Sequence, residues 1–163
     1  MINTMEDLFI DTLKDLYYAE KHILKALPEM EKTAHAGDLK KALENHRKET
    51  EGQIDRLESI FQKLDVTARG KKCEAIEGII REAKDQMQHI KNATVLDACL
   101  IGSAQAIEHY EICRYGTLIE WAKELGMKDA AQLLEQTLQQ EKGADMKLTK
   151  IANSSVNSQA AAC

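Results

Sequence analysis

An all-α fold, a four-helix bundle with an additional short crossover helix, is predicted by three observations. Ala, Leu, Glu, Lys and Gln dominate the composition, aromatic residues make up only 4%, and a single proline is present, which is the vocabulary of helices rather than strands. Apolar residues recur at steps of three and four through both halves of the chain, the spacing of one helix face. Gly37 and Gly126 each divide a long periodic run into a pair of helices.

The first helix opens at Thr4, which with Asp7 has capping-box spacing, Asp standing in for the usual Glu or Gln. Its stripe reads Phe9, Leu13, Leu16, Glu20, Ile23, Leu27, apolar except for one acid. Pro28 predicts a kink, with a break at Leu27 as the alternative. Asp38 can cap the second helix, whose inner face reads Leu39, Leu43, His46, Thr50, Gln53, Leu57, Ile60 or Phe61, Leu64, with Glu49 beside it. Asp65 to Gly70 is a connector. Ile76, Ile80, Ala83, Met87 and Ile90 then mark a shorter amphipathic helix near residues 72–91.

Thr94 and Asp97 repeat the capping-box spacing and open the longest helix. Its stripe is Ile101, Ala104, Glu108, Glu111, Tyr115, Leu118, Ala122, Leu125, and Gly126 is placed to stop it. The last helix starts near Lys128 and aligns Ala130, Leu134, Leu138, Glu141, Asp145, Leu148 and Ala152. Ser, Asn, Gln and Ala beyond it read as a flexible tail over residues 153–163. Residues 4–64 and 94–152 are thus two antiparallel hairpins of a single domain spanning 1–163, which at this length can bury its own core.

Charge and composition exclude several roles. A net charge of -5 gives no footprint for nucleic acid, and the one basic cluster, Arg69, Lys71 and Lys72, is short. No apolar run has the length of a membrane span, and Met1-Ile2-Asn3-Thr4 passes into helix pattern without a signal-peptide signature. Cys73, Cys99, Cys113 and Cys163 form no CxxC pair and no disulfide framework. They read as reduced thiols of a cytoplasmic protein, small core residues apart from Cys163 in the tail.

Four glutamates set the chemistry. Glu20, Glu49, Glu108 and Glu141 come from four different helices, interrupt or border the apolar stripes, and stand at similar distances from the two turns. Carboxylates converging in a core repel one another unless they are protonated, paired or bound to cations. A pair of divalent ions bridged by these acids removes the repulsion, and an oxygen-rich donor set suits Fe, Mn or Mg. His46, Glu111 and Asp145 lie three or four residues from one of the four on the same face and are further candidate ligands. Gln53 is placed to hydrogen-bond a ligand; Tyr115, one turn after Glu111, can do the same, although a core tyrosine is the commoner reading of such a position. His109 points away from Glu108's face and reads as a surface or structural residue. The simpler alternative is that each acid is a helix-edge residue reaching water.

Several stretches carry a resemblance. Leu16-Tyr17-Tyr18-Ala19-Glu20-Lys21, His46-Arg47-Lys48-Glu49-Thr50-Glu51-Gly52-Gln53, Ala104-Gln105-Ala106-Ile107-Glu108-His109-Tyr110-Glu111-Ile112 and Glu141-Lys142-Gly143-Ala144-Asp145 are the most specific. With Lys72 to Gly78 and Tyr115 to Leu118, they make the chain resemble the YciE/YciF family of ferritin-like bacterial stress proteins over about residues 4–152. That resemblance implies a ferritin-like four-helix core with a dimetal centre. The pattern departs from the Glu-x-x-His template of such centres: Gly52 and Ala144 stand where histidine would follow Glu49 and Glu141, while His46 precedes Glu49 and Asp145 follows Glu141. Glu108-x-x-Glu111 resembles the rubrerythrin-type arrangement.

The functional expectation is a stress-response protein whose carboxylate-bridged di-iron or di-manganese centre reacts with oxygen or peroxide. Its alternative is a non-enzymatic helical scaffold or dimer in which the acids form a structural metal site or an interhelical network. A mini-ferritin role is a third reading, opposed by the absence of Lys and Arg from Asn153 to Cys163. The expected assembly is a small homo-oligomer, most simply a dimer. No separate substrate pocket is legible, which argues against a hydroxylase.

Overall fold

The structure is a computed structural model that describes residues 2–163. Among these there is no strand. Five main helices follow one another: α1 (Met5–Thr33), α2 (Gly37–Lys63), α3 (Glu74–His89), α4 (Ala93–Glu124) and α5 (Lys128–Ile151).

The start of α1 is the reciprocal capping box read from sequence. Asp7 N–H donates to Thr4 Oγ1 at 3.0 Å, and Thr4 N–H donates to Asp7 Oδ2 at 3.0 Å. The helix continues through Pro28, so the break at Leu27 does not occur. Pro28 is exposed, and the Leu24 carbonyl that loses its amide partner there can turn to water.

The turn between α1 and α2 departs from expectation in an instructive way. Asp38 does not cap α2; Ala36 occupies that position without a side-chain bond. The carboxylate that holds the turn comes from α4. Asp97, 3% exposed, accepts from the backbone N–H groups of His35 and Ala36 at 2.7 Å each. It is therefore unavailable for the capping box with Thr94, and Asn92 caps α4 instead, accepting from Thr94 and Val95 N–H at 2.9 and 3.1 Å. Asp97→Ala leaves both turn amides without their partner and is expected to cost about 1–3 kcal/mol in urea unfolding. Asp97→Asn keeps one acceptor and should cost less. Equal stability of all three proteins would show that the tie is incidental.

The other hairpin turns where the glycine predicts. Gly126 adopts φ +71°, a left-handed conformation that costs a residue without Cβ little. Met127 N–H then reaches back to Ala122 C=O at 2.8 Å to close α4. Asp65 closes α2 the same way at φ 53°, with Val66 N–H on Phe61 C=O at 3.0 Å.

Side-chain pairs establish the topology. Gln53 meets Glu141, Arg56 meets Thr137, and Lys63 meets Asp129, so α2 and α5 run antiparallel. Asp97 at the start of α4 lies by the end of α1, and Tyr110 further along lies by Asp15, so α1 and α4 are also antiparallel. The helices neighbour one another in the cyclic order α1–α2–α5–α4. Hence α2 and α4 are parallel and diagonal, and the chain must climb the whole bundle between them. Helix α3 makes that climb along α1 and α4, with Tyr18 on Glu77 and Glu29 on Lys84 at 3.1 Å. The basic residues at its start are paired rather than free: Lys71 with Asp11 at 2.6 Å, Lys72 with Glu74 at 2.8 Å and Glu77 at 3.2 Å.

One core runs through all five helices, with Phe9, Leu13 and Leu16 of α1, Leu57 and Phe61 of α2, Ile76 of α3, Leu100 and Leu118 of α4 and Leu134 of α5 all buried. Each such side chain contributes about 1.5–3 kcal/mol by leaving water. The residues after Asn153, expected as a flexible tail, are helical. A π-helical turn (Ala152–Val156) leads into α6 (Asn157–Ala161), both against α4. The one large aliphatic residue among them explains this: Val156 is 3% exposed and anchors the turn.

Candidate metal centre

Midway along the bundle the apolar stripes of four helices give way to polar side chains. His46 of α2, Glu108 and Glu111 of α4 and Glu141 of α5 are all buried, and each presents a donor atom within 4.8 Å of the other three. His46 Nε2 is 3.3 Å from Glu108 Oε1 and 3.9 Å from Glu141 Oε2. Helical spacing explains the convergence: Glu108 and Glu111 are three residues apart on one face of α4, and His46 continues the Leu39–Leu43 stripe of α2.

Glu20 of α1 is also fully buried and lies beside this group, its Oε1 accepting from the hydroxyl of Tyr115. Tyr115 is buried too, so the tyrosine on the stripe is both core and hydrogen-bond donor. Gln53 donates its amide to Glu141 and at 3.4 Å to Gln140, which in turn accepts from Arg56 at 2.9 Å. The Arg56–Gln140–Gln53 chain thus fixes Glu141 from the α2/α5 side. Gln140 and Arg56 escaped the sequence reading because both lie off the apolar stripes.

Two candidates take other places. Glu49 has its side chain 42% exposed, with Oε2 3.9 Å from His46 Nδ1, and stands at the rim of the group. On α2 His46 is the inward residue and Glu49 stands beside it, as the stripe places them, so it is Glu49, one of the four glutamates expected to converge, that lies at the edge. Asp145 does not join the cluster. One turn beyond Glu141, it accepts from Gln105 Nε2 at 2.9 Å and faces the exposed His109 at 3.3 Å.

The electrostatics are those of crowded acids. Burial and the nearby Glu141 carboxylate push Glu20 up to about 8, against a hydrogen bond from Tyr115 that favours its charge. Burial pushes Glu108 up to about 7. Glu111 and Glu141 are raised well above the usual carboxylate range, again chiefly by burial. For His46 burial opposes the charge, but the carboxylates of Glu49, Glu141 and Glu20 outweigh it and raise its pKa.

The donor set fits a divalent cation. Both oxygens of Glu111, one oxygen each of Glu20, Glu108 and Glu141, and both ring nitrogens of His46 are buried without a hydrogen-bond partner. Buried polar atoms are rarely left so, and a concentration of them on mutually facing carboxylates is what a cation would satisfy.

Away from this group, Cys73 is the one cysteine that is buried. Its Sγ caps α3 and lies 3.0 Å from the Tyr110 hydroxyl, which donates to Asp15 at 3.0 Å. Cys99 is half-buried and Cys113 exposed, contrary to the expectation of core positions; Cys113 falls on the solvent side of the α4 stripe. No helix among the described residues is long and apolar enough to cross a membrane.

Fold and site together define a ferritin-like helical bundle with a buried carboxylate–histidine cluster at its middle. The chain belongs to the family described as "Domain of unknown function (DUF892)", whose model matches residues 4–161. It is 41% identical to protein YciF of Escherichia coli K12 over 160 residues, 98% of this chain and 96% of that one. The crystal structure of the E. coli stress protein YciF superposes with a TM-score of 0.91, covering 96% of this chain and 99% of that chain. YcfI of Rhodopseudomonas palustris, whose description proposes a structural role, is 49% identical, with a TM-score of 0.90 over 91% of this chain and 94% of its own. A Xanthomonas campestris protein at 22% identity and TM-score 0.75 shares the fold.

Proposed function

We propose that this protein is a stress-response member of its family whose buried cluster holds two divalent metal ions, iron above all, and reacts there with oxygen or peroxide. The observation that carries the reading is the set of unpartnered donor atoms on His46, Glu108, Glu111 and Glu141. Those four residues would hold the metal, with Glu20 on the α1 side and Glu49 at the rim completing a second position. One nitrogen among many oxygens favours Fe or Mn, with Mg as the redox-silent occupant. Bound there, a ferrous pair would supply two electrons to a peroxide.

The chain's own contribution is placement. Tyr115 orients Glu20 and is itself held neutral, its pKa raised well above the ordinary value by burial and by Glu20. Gln53 orients Glu141. His46, Glu108, Glu111 and Glu141 are all at most 5% exposed, so their charges act in a low-dielectric volume. Four free cysteines accord with a reducing, cytoplasmic setting.

Elemental analysis of the purified protein, followed by peroxide-dependent oxidation of added Fe(II), tests the reading. The expected result is about two metal ions per chain and oxidation faster than in buffer. A second reading, a structural bundle, draws on the description of YcfI and on the Tyr115–Glu20 and Gln53–Glu141 hydrogen bonds. It predicts protein without metal and no oxidation above buffer. Size-exclusion chromatography should give a small homo-oligomer; a many-subunit cage would favour iron storage.

A further inference from the structure

The cluster adjoins a pocket between α2 and α5. Its volume is about 500 Å³, and His46 and Glu108 form part of its wall. Ala42 and Leu43 of α2 face Ala144 and Leu148 of α5 across it. The gap exists because α5 presents Gly143 and Ala144, small residues, where larger ones would close the groove.

The size is more than access for a diatomic or hydrogen peroxide requires. A water molecule's share of liquid volume is about 30 Å³, whereas small-molecule sites run from about 300 to 1,000 Å³. The lining is two-sided. Ala42, Leu43, Ala144 and Leu148 give it an aliphatic strip, Asn45, Lys48, Glu49, Gln139, Gln140 and Lys147 give it a polar surround, and at its inner end stand His46 and Glu108, 5% and 2% exposed.

We propose that the α2/α5 pocket binds a small organic hydroperoxide, its hydrocarbon body against Ala42, Leu43, Ala144 and Leu148 and its O–O group at His46 and Glu108. This rests on the metal reading above and narrows its substrate. A ferrous pair held by the cluster would supply the two electrons that, with two protons, convert R–OOH to R–OH and water, each iron giving up one electron.

Two arms test the proposal, using cumyl alcohol as an unreactive product mimic and cumene hydroperoxide as substrate. Gly143→Leu and Ala144→Leu place a larger side chain in the pocket. A Cβ at Gly143 meets no atom within 4 Å, and leucine is the better helix former, so this variant is expected to fold and to melt no lower than wild type. Ala144→Leu provides a second obstruction should the first misfold.

In the first arm, calorimetric titration of metal-free wild type with cumyl alcohol should show binding, and each variant should lose about tenfold or more in affinity. In the second, Fe(II)-loaded wild type should oxidise with cumene hydroperoxide, and the ratio of its rate to that with hydrogen peroxide should fall by a similar factor in each variant. No binding by wild type, or equal binding by wild type and both variants, overturns the pocket assignment. Unequal binding with an unchanged rate ratio overturns the hydroperoxide as its occupant. Failure to retain iron sinks the metal reading instead, while the titration, run without metal, still decides the pocket.

Discussion

The double replacement Glu108→Gln, Glu141→Gln is expected to raise the melting temperature of the metal-free protein at about pH 8 and to abolish its response to Fe(II) or Mn(II). Burial lifts both carboxyls, Glu108 to about 7 and Glu141 well above the usual range, because the charged form has lost its water and faces other acids. Glutamine keeps the shape and removes the charge, so the repulsion is relieved. For the wild type, metal at about 100 times its dissociation constant adds roughly 2.7 kcal/mol when the unfolded chain does not bind it. In a chain of this size that is a rise of roughly 5–10 °C. The variant lacks two of the four converging ligands and should show little of it. Equal shifts in the two proteins would exclude Glu108 and Glu141 as ligands and return the cluster to a purely structural role.

Without metal, the wild type should lose stability steadily as pH rises from about 4.5 to 8. The sign follows from the direction of the shifts. Glu20, Glu108, Glu111 and Glu141 all have folded-state pKa values above the ordinary 4.5, so the folded chain holds protons that the unfolded chain has released. Their contribution is complete below the unfolded value and is lost as pH passes through about 7 for Glu108 and about 8 for Glu20. His46, also raised, acts in the same direction. Each proton held only by the folded state steepens the loss by about 1.4 kcal/mol per pH unit. Urea unfolding in the presence of a chelator at several pH values in that window measures the slope. Saturating metal should flatten it by supplying counter-charge. A metal-free profile that is flat or rises across the window would mean that these carboxyls are solvated rather than buried together.

The helices and most of their ends were legible because they are local properties. The Thr4–Asp7 box, the stop at Gly126 and the apolar stripes each depend on residues a few positions apart, and the structure reproduces them. The convergence of Glu108, Glu111, Glu141 and His46 was legible for a related reason: helical periodicity tells which residues face inward, and antiparallel hairpins bring inward residues at equal height together. Asp97 shows where local reading fails. Its spacing to Thr94 suggested a cap, but burial against the α1–α2 turn gave its two oxygens stronger obligations at residues more than sixty positions away.

By itself the sequence determined the helical class, the pairing of helices about two turns and the inward positions of Glu20, Glu108, Glu111 and Glu141. Only the tertiary structure decided the rest. It put Glu49 at the rim, drew Asp145 away to Gln105 and His109, and left a pocket beside Gly143. Periodicity sets a side chain's direction to within a sector of the helix. Which of two neighbouring side chains reaches the axis, and where a gap remains between helices, depends on the rotation of each helix about its own axis. That rotation is set by packing against three other helices at once.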